Sequence, residues 1–265
     1  LNIVIPIKQV PETSNVKMDE KTGTMIREGV ESIVNPLDLY SIEIGIQLKE
    51  RLGGKITVIS MGPPSAEKAL KEALSMGCDH GVLITGREFA GSDTWSTSYA
   101  LAEAIRRIGN YHLVICGERA TDGDTGQVGP GIASFLDIPL ATYVSGITGV
   151  SSDHLEVERL VEGGYEQLRL QLPALVTVVK EISYPRLPTL RGKQKARITE
   201  IQNLSSGDLN LDPSRTGLEG SPTRVVNIEV PTVVRNGTIR FAKDEESTAR
   251  AVDEFLAMLK SKELI

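Results

Sequence analysis

His112-Leu113-Val114-Ile115-Cys116-Gly117-Glu118-Arg119-Ala120-Thr121-Asp122-Gly123-Asp124-Thr125-Gly126-Gln127-Val128-Gly129-Pro130-Gly131-Ile132-Ala133 passes from a short apolar run into a glycine-rich loop and then into a helical pattern, Ile132-Ala133-Ser134-Phe135-Leu136. The run His112–Cys116 has the β-branched character of a buried parallel strand. Gly123, Gly126, Gly129 and Gly131 allow backbone to approach a ligand closely. The free N–H groups of the following helix would face that ligand, which favours phosphate. In an open α/β sheet such a loop lies at the carboxyl end of the strands, where ligands bind. The loop contains no lysine, so it is not a P-loop, and its glycines do not fit G-x-G-x-x-G. Asp122 and Asp124 are unusual beside a phosphate. They could bind ribose hydroxyls, cap the helix or rigidify the turn.

The same alternation extends outward. Apolar runs occur at Asn2–Lys8, Lys55–Met61 and Gly81–Thr85. Between them, Leu39, Ile42 and Ile46 share a helical face, as do Ala66, Ala69, Leu70, Ala73 and Leu74, and Leu101, Ala104, Ile105 and Ile108. Strands alternating with helices predict an open, doubly wound, mostly parallel α/β sheet. The long connection Val10–Val34 reads as carrying a hairpin, with Val16-Lys17-Met18 and Thr24-Met25-Ile26-Arg27 flanking the turn Glu20-Lys21-Thr22-Gly23. Leu155–Arg159 and Leu168–Leu172 alternate around Gly163-Gly164, predicting an antiparallel hairpin, followed by a buried strand at Leu175–Val179.

After Lys180 the chain becomes Pro-rich and basic at Tyr184–Lys193. From about Asn203 to Asn236 it is rich in Gly, Pro, Ser and Asn and reads as an extended arm. A last helix, capped by Asp244, carries the apolar stripe Val252, Phe255, Leu256 and Leu259. With nothing of its own to pack on, it is expected to dock on another subunit, the alternative being that it packs back on the parent domain. The division expected is a nucleotide-binding domain over 1–202 and an arm with its helix over 203–265.

Composition narrows the function classes. The chain has 265 residues, 40% hydrophobic and 24% charged, with net charge −6. That is ordinary globular usage. The negative balance and 4% aromatics disfavour nucleic-acid binding. No apolar run is long enough for a membrane span, and the first residues lack a basic, cleavable leader. Cys78 and Cys116 read as buried thiols of a cytoplasmic protein, and His80, His112 and His154 lack metal-ligand spacing. No metal site is expected.

Three further segments point to the same rim. Asn35-Pro36-Leu37-Asp38 has the form of a helix start, with Asn35 as N-cap and Asp38 reaching back. Pro6 interrupts a good strand, as if a ring lay against the strand end. Ser60-Met61-Gly62-Pro63-Pro64 ends another strand in a tight turn. The loops after Ile7, before Leu37, after Ser60 and after Cys116 therefore converge on an adenine-nucleotide site. There is no nucleophile elbow, no Ser-Gly-Gly-x-Asp-Ser loop for splitting pyrophosphate and no cysteine cluster. No catalytic residue is expected, and redox chemistry would belong to a bound cofactor.

Taken in order, Val4–Gln9 with Val10-Pro11-Glu12-Thr13, Asn35–Asp38, Gly62-Pro63, Ala73–Gly77, Asp122–Ala133 and Pro185–Lys195 resemble the β subunit of electron-transferring flavoproteins over essentially the whole chain. The resemblance implies a Rossmann-like nucleotide-binding domain and an arm embracing an α subunit. It also implies a pocket lined by Pro6, Asn35, Pro36, Leu37, Asp38, Met61 and the run Asp122, Gly123, Asp124, Thr125, Gly126, Gln127, Val128, Gly129, Pro130, Gly131, Ile132 and Ala133. One branch of the family holds structural AMP there and carries electrons from dehydrogenases. The other, electron-bifurcating, holds a FAD that takes hydride from NADH and divides the electrons between a high-potential acceptor and ferredoxin or flavodoxin. Asp122-Gly123-Asp124-Thr125-Gly126-Gln127-Val128-Gly129-Pro130 is close to the bifurcating branch's Asp-Gly-Asp-Thr-Ala-Gln-Val-Gly-Pro, with Gly126 in place of Ala and, at Val10–Thr13, Glu12 in place of Asp. Leu190 matches the family's recognition loop, where a leucine inserts into a partner such as an acyl-CoA-dehydrogenase-like flavoprotein. Arg186, Arg191, Lys193 and Lys195 would form a steering rim around it.

Overall fold

The computed structural model describes residues 1–12, 32–226, 237 and 239–265. The hairpin expected at 16–27 lies outside the described residues. The chain divides into two compact units, Leu1–Val226 and Asn227–Ile265.

The first unit is built on a nine-stranded sheet. In chain order its strands are β1 (Asn2–Pro6), β4 (Lys55–Met61), β5 (His80–Ile84), β6 (Leu113–Gly117), β7 (Leu140–Val150), β8 (His154–Val161), β9 (Gly164–Gln171), β10 (Ala174–Val178) and β11 (Ile201–Leu204). Two short strands, β2 (Gln9–Pro11) and β3 (Ser32–Val34), pair antiparallel outside it. The spatial order is β11-β5-β4-β1-β6-β10-β7-β8-β9. Neighbours from β11 to β7 run parallel, and β7-β8-β9 run antiparallel. The expected hairpin is therefore present and extends one edge.

Helices cover both faces because the strand residues alternate. Ile3 and Ile5 point into one apolar layer with α1 (Asp38–Leu52), α2 (Glu67–Met76) and α5 (Leu190–Ile198). Val4 points into the other, with α3 (Thr94–Ile108) and α4 (Val128–Leu136). This is the doubly wound arrangement expected.

Three local readings change. Helix α4 starts at Val128, ahead of the apolar pattern at Ile132, because Pro130 falls in the first turn, where its missing N–H breaks no helical bond. Asn35 does not cap α1. The preceding residue is Leu37, with no side-chain cap, and Asn35 spends its side chain elsewhere. Residues 203–226, expected in the arm, pack with the first unit. Leu204 joins β11, and Leu209 and Leu211 are buried. The Arg215 guanidinium lies 4.1 Å from the Tyr99 ring centre, 5.1 Å from Trp95 and 5.4 Å from Phe135. Low apolar content concealed this strap, which is tied to the sheet unit by bonds between side chains and backbone in both directions. Ser96 Oγ donates to the Arg215 carbonyl at 2.9 Å and the Asp93 N–H to Ser221 Oγ at 2.8 Å.

In the second unit, α6 (Glu245–Ser261) is closed by a capping box. The Ser247 N–H donates to Asp244 Oδ1 at 2.8 Å, and the Asp244 N–H donates to Ser247 Oγ at 3.2 Å. Its Val252, Phe255 and Leu256 are exposed. Among the described residues, no helix is long and apolar enough to cross a membrane.

Candidate functional site

From β1 the chain crosses to β4 on one side. β6 lies against the other side of β1. The crevice beyond their carboxyl ends is the topological switch point, and here it opens into a cleft of about 1070 Å³. Its walls come from Pro6–Lys8 after β1, Asn35 and Asp38 before α1, Met61–Pro64 after β4, Thr85–Arg87 and Phe89–Thr94 after β5, Cys116–Ala120 and Gly123–Gly129 after β6, and Thr223 of the strap.

The floor is a polar network joining three loops. Asn35 Nδ2 donates to the Arg119 carbonyl at 2.9 Å, and Asn35 Oδ1 accepts the Thr121 N–H at 3.2 Å. Asp38 Oδ2 accepts the Lys8 N–H at 2.7 Å. Lys8 Nζ reaches Asp122 Oδ1 at 2.6 Å. Arg119 pairs with Asp124 at 3.1 Å and Glu118 at 3.0 Å. The two aspartates that looked misplaced beside a phosphate are thus paired with cations of the same cleft. Burial pushes the Asp38 carboxyl up from 3.8 to about 7, against the Lys8 N–H, the Asn35 hydrogen bond and the Lys8 charge. Burial also raises both thiols, Cys78 and Cys116, above the ordinary range, so neither is poised as a nucleophile.

The loop leaves room where a ligand would approach. A Cβ built on Gly123 meets nothing nearer than Lys8 Nζ at 3.9 Å. Gly126 sits at φ +63, a left-handed turn that favours glycine, and the nearest atom to its Cβ position is the Glu118 carbonyl at 3.5 Å. The N–H groups of Thr125, Gly126 and Gln127 find no acceptor among the described residues. This donor set and this open cradle fit a phosphate-bearing ligand.

Of the residues expected at the site, Pro6, Asn35, Asp38, Met61, Gly123, Asp124, Thr125, Gly126, Gln127, Val128 and Gly129 share the wall. Asp122 lines a smaller neighbouring hollow with Lys8 and Met61. Pro36 is exposed and Leu37 half-buried at the start of α1. Pro130 and Gly131 continue into α4, where Gly131 packs against Ser98 of α3, and Ile132 and Ala133 are core residues. The Thr85–Thr94 wall was missed. Its signal was available, since a loop at the carboxyl end of β5 must reach the same rim, and Gly91-Ser92-Asp93-Thr94 has the form of a helix start. Asp93 does cap α3, accepting the Ser96 N–H at 3.0 Å.

Outside the cleft lining, Leu190 opens α5 with 83% of its surface exposed, and Leu187 and Tyr184 are exposed near it in sequence. Thr189 caps this helix on the Gly192 N–H. The rim differs from expectation at Arg186. Its Nε meets Glu43 Oε2 at 2.8 Å and its Nη1 meets Glu50 Oε1 at 2.6 Å, so it pins the segment to α1. Burial raises the Glu43 carboxyl, yet the Arg186 hydrogen bonds prevail and hold it below the usual range.

These features define a class, an α/β protein with a glycine-lined ligand cleft at the switch point of a doubly wound sheet. The chain belongs to the electron transfer flavoprotein family, on its β-subunit side. The family profile described as "Electron transfer flavoprotein domain" matches residues 22–209. The chain is 46% identical over 254 residues to the "Electron transfer flavoprotein subunit beta" of Thermoanaerobacterium thermosaccharolyticum, covering 96% of this chain and 97% of the relative. It is 42% identical over 235 residues to "Protein FixA" of Bradyrhizobium diazoefficiens, covering 86% and 82%. It is 41% identical over 263 residues to the "Caffeyl-CoA reductase-Etf complex subunit CarD" of Acetobacterium woodii, covering 99% and 97%.

Proposed function

We propose that this chain is the β subunit of a heterodimeric electron-transferring flavoprotein of the electron-bifurcating type, and that its cleft holds FAD. The observation that carries this reading is the open cradle at Gly123 and Gly126, in a cleft of about 1070 Å³. That volume is slightly above the range of ordinary small-molecule sites, roughly 300–1,000 Å³, large enough for a dinucleotide. The resemblance of Asp122–Pro130 to the bifurcating sequence and the likeness to CarD, named as part of a reductase complex, support it. When bound, the flavin supplies hydride acceptance from NADH and one-electron delivery toward an α-subunit flavin and toward ferredoxin or flavodoxin. The chain's own residues bind and orient. The N–H groups of Thr125–Gln127 would face the diphosphate. Asn35 holds the Arg119–Thr121 segment in register, and the Lys8–Asp122 pair fixes the loop against β1. Residues 227–265, with the exposed stripe of α6, would dock on the α subunit.

Releasing the nucleotides from the purified complex and recording their absorption spectrum tests this directly. Two flavins per heterodimer are expected. One flavin with stoichiometric AMP would establish the alternative, an electron carrier with structural AMP in this pocket.

Leu190 is proposed to anchor a flavin dehydrogenase. Leu190→Ala is expected to weaken that association by about 2 kcal/mol, roughly 30-fold, while flavin content stays unchanged. Electron-transfer rates measured below saturation provide the check, and an unaltered rate would remove Leu190 from the interface.

A further inference from the structure

Strand β7 contains a residue that local chemistry does not favour. Tyr143 lies at φ +57, in the left-handed region that bulky side chains avoid. Burial does not impose this conformation, because 46% of the residue is exposed. The conformation places the residue beside the glycine loop, linked to it through Thr177 at one end and near the Gly126 turn at the other. Its N–H donates to Thr177 Oγ1 at 3.1 Å. Thr177 is buried, and its methyl carbon would stand 2.6 Å from a Cβ on Gly129, so it packs directly on the first turn of α4. At the other end, the Tyr143 hydroxyl is 3.8 Å from the Cβ position of Gly126. The register of β7 on β10 shifts between Val176 and Val178 to accommodate it. Backbone strain of this kind collects at functional sites.

We propose that Tyr143 is a positioning residue for the nucleotide, kept in a strained conformation because its N–H then holds Thr177 against the start of α4 while its ring lies beside the Gly126 turn. The inference rests on the reading of the cleft as an adenine-nucleotide site. Tyr143 is not among the residues lining the cleft. Its part is to hold the loop in place from beside it, so that the unpaired N–H groups of Thr125–Gln127 keep their positions.

The test uses the full complex with its α subunit, stripped of nucleotide at the β site, and compares wild type with Tyr143→Asn and Tyr143→Phe. Asparagine accepts the left-handed region readily. Tyr143→Asn is therefore expected to raise Tm by about 2–4 °C while raising the Kd for the nucleotide about tenfold. Tyr143→Phe keeps the ring, the strain and the N–H bond to Thr177, and the hydroxyl makes no hydrogen bond among the described residues, so Tm and Kd should both stay close to wild type. Kd is measured with FAD and with AMP, so that the result stands whichever nucleotide the site takes. A gain in stability with a loss of affinity is the signature of a strained positioning residue. Tyr143→Asn that lowers Tm, or that leaves Kd unchanged, overturns the proposal. Wild type that binds neither nucleotide overturns the nucleotide reading, and this inference with it.

Discussion

Replacing Asp38 by asparagine is expected to abolish a fall in stability that the native chain undergoes between about pH 4 and pH 7. The carboxyl is buried and its pKa rises from 3.8 to about 7 on folding. The folded state therefore binds this proton more tightly than the unfolded state. Stability from that proton is complete below the unfolded value and is lost as pH rises toward the folded one. Integrated over the interval, the loss is about 4 kcal/mol. Burial is the largest contributor to the shift. Lys8 and Asn35 oppose it, and the charge on Asp122 adds to it. Asparagine resembles the protonated acid, offering an oxygen to the Lys8 N–H without a charge. Urea midpoints across pH should show little difference between native and Asp38→Asn near pH 4, and the variant more stable by about 4 kcal/mol near pH 8. Parallel profiles would mean that water reaches this carboxyl. A titrating group held at this value in a ligand cleft is also what functional sites tend to contain.

What the sequence made legible was what local periodicity encodes. The strand runs at 2–8, 55–61 and 112–116, the helix faces and the hairpin around Gly163-Gly164 each announce themselves within a dozen residues, and so does the Asp244 cap. The glycine loop was legible because its position after a strand implies the carboxyl rim. The remainder depends on partners distant in sequence. Asn35 looked like a cap because local options are all that a linear reading offers, yet the carbonyl of Arg119 and the N–H of Thr121 compete successfully for its side chain. Arg186 looked like a solvated rim charge until Glu43 and Glu50 came within reach. The strap at 205–226 carries few apolar residues. It is held by hydroxyl-to-backbone bonds and by one guanidinium over three rings, which no hydropathy pattern reports. The left-handed Tyr143, inside a strand, has no sequence signature at all.

Gly117→Val is expected to destabilise the chain by about 3 kcal/mol or more and to empty the cleft. Valine suits a strand, so propensity predicts no penalty. The penalty is steric. Gly117 ends β6, and a Cβ there would stand 2.4 Å from Asp38 Oδ1 and 3.0 Å from the Leu37 carbonyl carbon and oxygen. The Asp38 side chain is short and held by the Lys8 N–H, and Leu37 presents backbone, so neither yields cheaply. On the opposite side, Gly117 is fixed by its pairing with Val178 of β10. The start of α1 must therefore retreat, carrying Asn35 away from Arg119 and Thr121 and loosening the floor on which the loop rests. Gly117→Ala should show the same effects at smaller amplitude. Combining it with Asp38→Ser, which frees space beside the new methyl, should cost less than the sum of the two single changes, since residues in contact do not add. Urea midpoints measure the stability and nucleotide released from the purified protein measures the cleft. Full nucleotide content in Gly117→Val would show that the start of α1 does not form the floor of the site.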